Sequence, residues 1–263
     1  MEDNRPASGR GGVFDCILIN LAFIFAQFVF SASFHGAAFS FYFADGILRI
    51  VFGTATLFLF VKRFEKGKWT NVIHFRNFKA GLSAAAGSVL LILFYVLLLA
   101  TGAKSIEIPA QMIFGEIIFQ QITTGYFEEM LFRAYLMEGY YSALSAEERT
   151  WGQRLYYSIL SALIFGAIHI SGAGSLVTPV FAAAFGFICA SAYLYSHNIL
   201  VCMLLHFVYD VFAHCPKYVA EWDETNLLVL WNEPIFFTLL SIGLLIAVVY
   251  LMKEPVDERE NAA

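Results

Sequence analysis

The chain alternates long apolar stretches with short polar ones, and the apolar stretches have the length of membrane spans. A helix needs roughly 20 mostly apolar residues to cross the hydrocarbon core of a bilayer. Eight stretches approach that length: about 13–34, 37–61, 80–101, 108–132, 155–172, 176–196, 198–214 and 235–252. The pattern predicts an all-α, multi-pass transmembrane helical bundle of about eight spans. Pro109, Pro179 and Pro234 fall at predicted helix starts, where a missing N–H costs little. Pro216 and Pro255 follow predicted helix ends. The first stretch lacks a small-residue cleavage site and is too long for a signal-peptide core, so it reads as a membrane helix. The polar segments are 1–12, 62–79, 138–154, 217–233 and 253–263. The expected organisation is an N-terminal tail (1–12), a single transmembrane domain (13–252) and a C-terminal tail (253–263), with no internal repeat and no soluble domain.

Composition sharpens this picture. The chain is 59% hydrophobic and only 14% charged, with a mean hydropathy of +0.69. Soluble domains are about 45–50% apolar and about 25% charged. Basic residues then set the orientation. Lys62, Arg63, Lys66, Lys68, Arg76 and Lys79 crowd one loop. Under an eight-span reading Arg5, Arg10, Arg149, Arg154, Lys253 and Arg259 share its side, whereas Lys104 and Lys217 fall on the other. Both termini are therefore expected in the cytosol, with the protein in the cytoplasmic membrane and the lipid bilayer as its surroundings. The net charge of −5 says little about partners. Nothing in the pattern suggests nucleic-acid binding. Cys16, Cys189, Cys202 and Cys215 form no CxxC pair, and they read as buried small hydrophobes rather than a disulfide framework or zinc knuckle.

Against this apolar background a few ionisable residues stand out, because such groups are expensive inside a bilayer. Glu128, Glu129 and Arg133 sit where the fourth stretch ends. Glu129 and Arg133 are four apart, share a helix face and can pair. Glu128 projects about 100° away and stays free to act as a base. An interfacial charge cluster with Arg133 snorkelling is the plain alternative. His169 lies in the fifth stretch, one turn after Phe165, and Ala162 and Gly166 on the same helix allow close approach of a neighbour. A lone histidine there could equally be a helix–helix hydrogen-bonding residue. His206 and Asp210 form an i,i+4 pair in the seventh stretch, where the carboxylate could orient the imidazole or merely lock packing. Asp45 and Arg49 form a similar pair that reads as structural. Glu116 is about 120° around its helix from Glu128, off the candidate face, and Tyr209 reads as packing. The fifth helix is expected to start near Ser145, with Glu148 at the capping-box position. Counted from that turn at about 1.5 Å per residue, His169 lies deeper than Glu128 by on the order of 10 Å, so a tilt or nonhelical turn is needed to join them.

Several hydrolase signatures are absent. The chain has no His-Glu-x-x-His zinc motif. It has no Gly-x-Ser-x-Gly, Gly172-Ala173-Gly174-Ser175 places its serine wrongly for a rhomboid-like nucleophile, and no Gly-x-Gly-Asp follows Asp210.

Three motifs do occur in order: Glu-Glu-x-x-x-Arg at Glu128–Arg133, Phe-x-x-x-His at Phe165–His169, and His-x-x-x-Asp at His206–Asp210. Together they resemble the family of CAAX prenyl proteases and bacteriocin-processing enzymes, also called the Abi family. The resemblance covers about 110–215; the N-terminal helices match only as hydrophobic spans. It implies an intramembrane peptidase in which Glu128 and His169 activate a water and His206 and residue 210 stabilise the oxyanion, with Glu129, Arg133 and Phe165 in support. The family's best-known eukaryotic member has asparagine at the last position. Here Asp210 stands there. An ionised carboxylate cannot donate to an oxyanion, so Asp210 is expected to orient His206 or to be protonated. A metal-free mechanism is favoured; if a divalent metal such as zinc binds, Glu128, His169, His206 and Asp210 are its ligands. The expected function is endopeptidase cleavage, near the cytosolic face, of a membrane-tethered protein or peptide, prenylated or not. A bacteriocin-immunity or scaffold membrane protein and a proton- or ion-coupled transporter are the alternatives. No internal repeat and no paired broken helices favour the transporter.

Overall fold

The computed structural model describes residues 10–33, 38–65, 67–138, 141, 144, 148–170 and 176–256. Residues 1–9 and 257–263 of the predicted tails lie outside this set, as do Ser145 and the segment 171–175. Helix α1 (Arg10–Ser33) is followed by α2 (Ala38–Arg63), whose last turn carries Lys62 and Arg63 against its negative dipole end. Two further helices, α3 (Phe78–Ala84) and α4 (Ala86–Gly102), meet at a 71° bend. Strand β1 (Ala103–Ile106) comes next. An unbroken helical run over 110–138, labelled α5, combines Ala110–Met112, Ile113–Gln120, Gln121–Glu129 and Met130–Glu138. Its second and fourth parts have the wider i→i+5 turns of a π-helix, an arrangement that often borders functional positions. The chain continues through α6 (Trp151–Ile168), α7 (Val177–Ser196), α8 (Ile199–His214), β2 (Val219–Trp222), the single turn α9 (Leu227–Leu230) and α10 (Asn232–Met252).

The helix boundaries follow local chemistry. Thr150 accepts from the Gln153 N–H and caps α6, so this helix starts later than the Ser145 expectation. His197, in the left-handed region at φ 51°, ends α7. Asn198 then caps α8 through the Val201 N–H. The Asn198 amide also donates to the carbonyls of His74 and Arg76, at 3.0 and 2.6 Å, tying this turn to the basic loop. At the same end Arg63 pairs with Asp15, and Arg154 Nε donates to the Leu251 carbonyl at 3.0 Å. The antiparallel ribbon β1–β2 closes the opposite end, pairing Ala103 with Trp222 and Ile106 with Val219.

The all-helical class holds, but eight spans do not emerge. Among the described residues five helices are long and apolar enough to cross a membrane, or six if α3 and α4 count as one broken span. The fourth and fifth predicted spans, α5 and α6, are absent from that count. Polar residues explain it for α5: Glu116, Gln121, Thr123, Thr124, Glu128, Glu129 and Arg133 are all buried along it. Its polar groups face protein, while Ile113, Phe114, Ile118 and Ile122 in its first half are exposed. The large side chains left exposed, such as Phe25, Phe28, Leu163 and Leu245, are instead those that suit a lipid-facing surface. Two apolar clusters fill the inside. One surrounds α7 through residues such as Ile188 and Leu194; the other joins Phe23 and Leu48 to Phe127, Phe132 and Phe165.

Candidate active site

The site starts from a close helix crossing. A Cβ added at Gly125 would lie 2.9 Å from the Met203 carbonyl oxygen and 3.2 Å from the Phe207 nitrogen. Only glycine lets α5 and α8 approach so nearly, and one turn further along α5 the approach sets Glu128 and Glu129 against His206. Gly166 does the same between α6 and α7: a Cβ there would meet the Pro179 oxygen at 2.6 Å. That crossing carries Phe165 and His169 to the same place, as the small residues before His169 suggest.

Glu129 is wholly buried and makes two contacts. Oε1 lies 2.8 Å from His206 Nδ1, and Oε2 lies 3.2 Å from Arg133 Nε. The Glu129–Arg133 pair is the one the four-residue spacing predicts. Arg133 is also fully buried, with its guanidinium 4.4 Å from the centre of the Phe165 ring, so a carboxylate and a ring face together meet its charge. Phe165 in turn stands edge-on to His206, with centroids 5.8 Å apart and planes at 82°.

A carboxylate can only accept from His206 Nδ1, so that nitrogen donates and Nε2 is left facing the cavity. Glu128 Oε2 lies 3.8 Å from Nε2, too far for a direct hydrogen bond, and Asp210 Oδ2 lies 3.4 Å from it. Glu129 thus holds the imidazole at Nδ1, where α5 passes, while Asp210 shares the cavity with Nε2.

The other oxygen of Glu128 accepts from Arg49 Nη1 at 3.1 Å. Arg49 pairs with Asp45 as expected, at 2.9 Å, but it also reaches the site, which sequence spacing did not show. Asp45 is held in turn by the side-chain amides of Gln27 and Gln120, both at 2.8 Å. Glu128 Oε2 is buried and has no hydrogen-bond partner among the described side chains. His169, at the C-terminal end of α6, places Nδ1 2.7 Å from the Phe165 carbonyl, so Nδ1 donates there and Nε2 is free. Glu116 contacts Lys217 and Tyr218, away from Glu128, in line with its position around the helix. Tyr209 packs against Phe181 and Phe185 with tilted rings and against Tyr95 edge-on, and it also lines the cavity.

Glu128, Phe165, His169, His206 and Asp210 line one cavity of about 500 Å³, together with Arg49, Gln120, Gln121, Thr124 and His214 among others. His169 follows the last residue of α6, at the opposite end of that helix from Thr150 and Arg149.

Among the described residues no group of three or more His, Cys, Asp or Glu is arranged to hold a metal ion. The Arg49 guanidinium occupies one oxygen of Glu128, and the other faces His206 Nε2. All four cysteines are free.

Residues 110–212 match the family model of type II CAAX prenyl endopeptidase Rce1-like proteins. This segment holds all three motifs and every residue of the site from Gln120 to Asp210. The match agrees with the resemblance carried by the motifs and supports a membrane-embedded protease of CAAX type. No curated protein and no solved structure matches the chain.

Proposed function

We propose that the protein is an intramembrane endopeptidase in which Glu128 activates a water molecule without a metal. The observation that carries this reading is the buried Oε2 of Glu128, which no side chain satisfies and which faces His206 Nε2 in a polar cavity. Arg49 fixes the other oxygen and so aims the carboxylate. A water bound to Oε2 gives up its proton to Glu128 as its oxygen attacks the scissile carbonyl. His169 Nε2, free on the cavity side, is the second acceptor for that water. His206 and the polar groups around it face the developing oxyanion. With Nδ1 anchored on Glu129, Nε2 donates to that oxygen when it carries a proton. Donors held rigidly in a site that excludes water act more strongly than they would in solution. The proton taken by Glu128 passes to the leaving amine.

The substrate in this reading is a membrane-tethered protein or peptide, because the catalytic groups lie among helices that contact lipid. The test is cleavage of membrane-tethered peptides by the purified protein in lipid, compared with Glu128→Gln. Turnover by the wild type and none by a folded variant supports the proposal. Equal turnover by both removes Glu128 from the chemistry.

A further inference from the structure

We propose that Asp45 is a positioning residue for the site: it fixes Arg49 against Glu128 and takes up part of the guanidinium charge, so that Glu128 is aimed without being fully paired. This rests on the reading of Glu128 as the base.

Sequence spacing joins Asp45 to Arg49 and nothing more. In the structure this pair is the middle of a longer chain of contacts. Arg49 gives different nitrogens to two carboxylates: Nε to Asp45 Oδ2 at 2.9 Å, and Nη1 to Glu128 Oε1 at 3.1 Å. Asp45 is only 3% exposed. Gln120 Nε2 donates to the same Oδ2 at 2.8 Å, and Gln27 Nε2 donates to Oδ1 at 2.8 Å. Both oxygens of Asp45 are thus engaged, by donors from α1, α2 and α5. Asp45 cannot turn away from Arg49 without leaving these interior donors unpaired, which is costly. A ring of α1 meets the guanidinium as well: Arg49 Cζ lies 5.1 Å from the centre of Phe23. Phe23 packs in turn on Phe127, the neighbour of Glu128, with centroids 4.6 Å apart. Phe23 and Gln27 are four apart and share one face of α1.

Arg49 and Gln120 line the cavity, and Asp45 does not. Its influence on Glu128 therefore passes through Arg49. A pair serving only to lock α2 would be complete with Asp45 and Arg49 alone. Here one guanidinium is shared between two carboxylates. Facing Glu128 alone, it would favour the ionised carboxylate and make it a poorer proton acceptor. Asp45 draws part of that charge away while holding the guanidinium in place. Gln27, Asp45 and Arg49 also lie outside the segment 110–212 that matches the family model. Helices α1 and α2 thus set the aim of a carboxylate that α5 carries.

A double-mutant cycle tests this, read as turnover of a membrane-tethered peptide by the purified full-length protein in lipid. Asp45→Asn keeps the size of the side chain. Its oxygen can stay on Arg49 and Gln120, and the Gln27 amide can turn to accept from its nitrogen. Turnover should fall about 10-fold in kcat, the lower end for a hydrogen bond between charged groups, with KM unchanged. The same substitution made in Arg49→Met should cost nothing further, because the path from Asp45 to Glu128 is already cut; residues acting through one network are not additive. Gln27→Met removes a donor and no charge. It should lower kcat by a smaller factor in the wild type and not at all in Arg49→Met, and it carries the test alone where Asp45→Asn fails to fold. Wild-type kcat in both variants or a change confined to KM overturns the proposal. So does an equal loss with and without Arg49, since a purely structural Asp45 lowers activity in either background. Full turnover by Glu128→Gln defeats the base reading instead. Loss of turnover there, with wild-type kcat in Asp45→Asn, defeats only the positioning.

Discussion

His206 Nδ1 lies 2.8 Å from Glu129 Oε1, so the second glutamate of an adjacent pair holds the histidine while the first faces the nitrogen on the other side of its ring. Two neighbouring carboxylates thus take different parts because a helix turns about 100° between them. One is wholly enclosed by Arg133 and His206; the other borders the cavity.

Glu128→Gln is expected to abolish proteolysis with folding intact. The amide keeps the size of the side chain and its contact with Arg49 but cannot take a proton. Loss of a general base costs about 10²–10⁴-fold in rate. Turnover of a membrane-tethered peptide, with thermal unfolding in detergent as the folding control, checks it.

Glu129→Gln should lower stability as well as activity. It leaves Arg133 buried with only the Phe165 ring against its charge and weakens the hold on His206 Nδ1. Removing one partner of a buried ion pair costs about 3–5 kcal/mol. Thermal unfolding reads the loss. An unfolding temperature equal to that of the wild type would contradict the pairing.

Arg49→Met should slow turnover and leave substrate affinity nearly unchanged. Arg49 aims the Glu128 carboxylate through a single hydrogen bond and is itself anchored by Asp45. Losing a hydrogen bond between charged groups is worth about 1.5–3 kcal/mol. A drop in kcat with constant KM is the expected signature, and Arg49→Lys should recover part of it. A change confined to KM would place Arg49 in substrate binding instead.

Activity is expected to survive exhaustive chelation. The guanidinium on Glu128 and the lack of a three-ligand cluster among the described residues motivate this expectation. Elemental analysis of chelator-treated enzyme alongside its turnover is the check. Stoichiometric zinc, with activity lost on removal and restored on re-addition, would refute it.

Gly125→Val should separate α5 from α8. The new side chain would press on the backbone of Met203 and Phe207. Overpacking of this kind costs about 1–3 kcal/mol. Activity should fall further than stability, because the same displacement moves Glu128 and Glu129 away from His206. Wild-type turnover in this variant would show that the crossing does not set the site.

The sequence by itself determined the helical membrane class and two side-chain pairings, Glu129 with Arg133 and Asp45 with Arg49. Apolar run length fixes the first, and i,i+4 spacing fixes the pairings, because both are properties of a single helix. The span count was less legible. Hydrophobicity along one strand of sequence does not separate a helix facing lipid from one facing protein, so α5 read as an ordinary span although its polar groups are buried in the interior. Contacts between helices were out of reach for the same reason. Arg49 meets Glu128 and Glu129 meets His206 across separations of 79 and 77 residues, and no local period encodes such a meeting. The tertiary structure decided them through the close approach at Gly125 and Gly166. It also decided the depth of His169, because that depth follows from where α6 begins, at Trp151 rather than near Ser145.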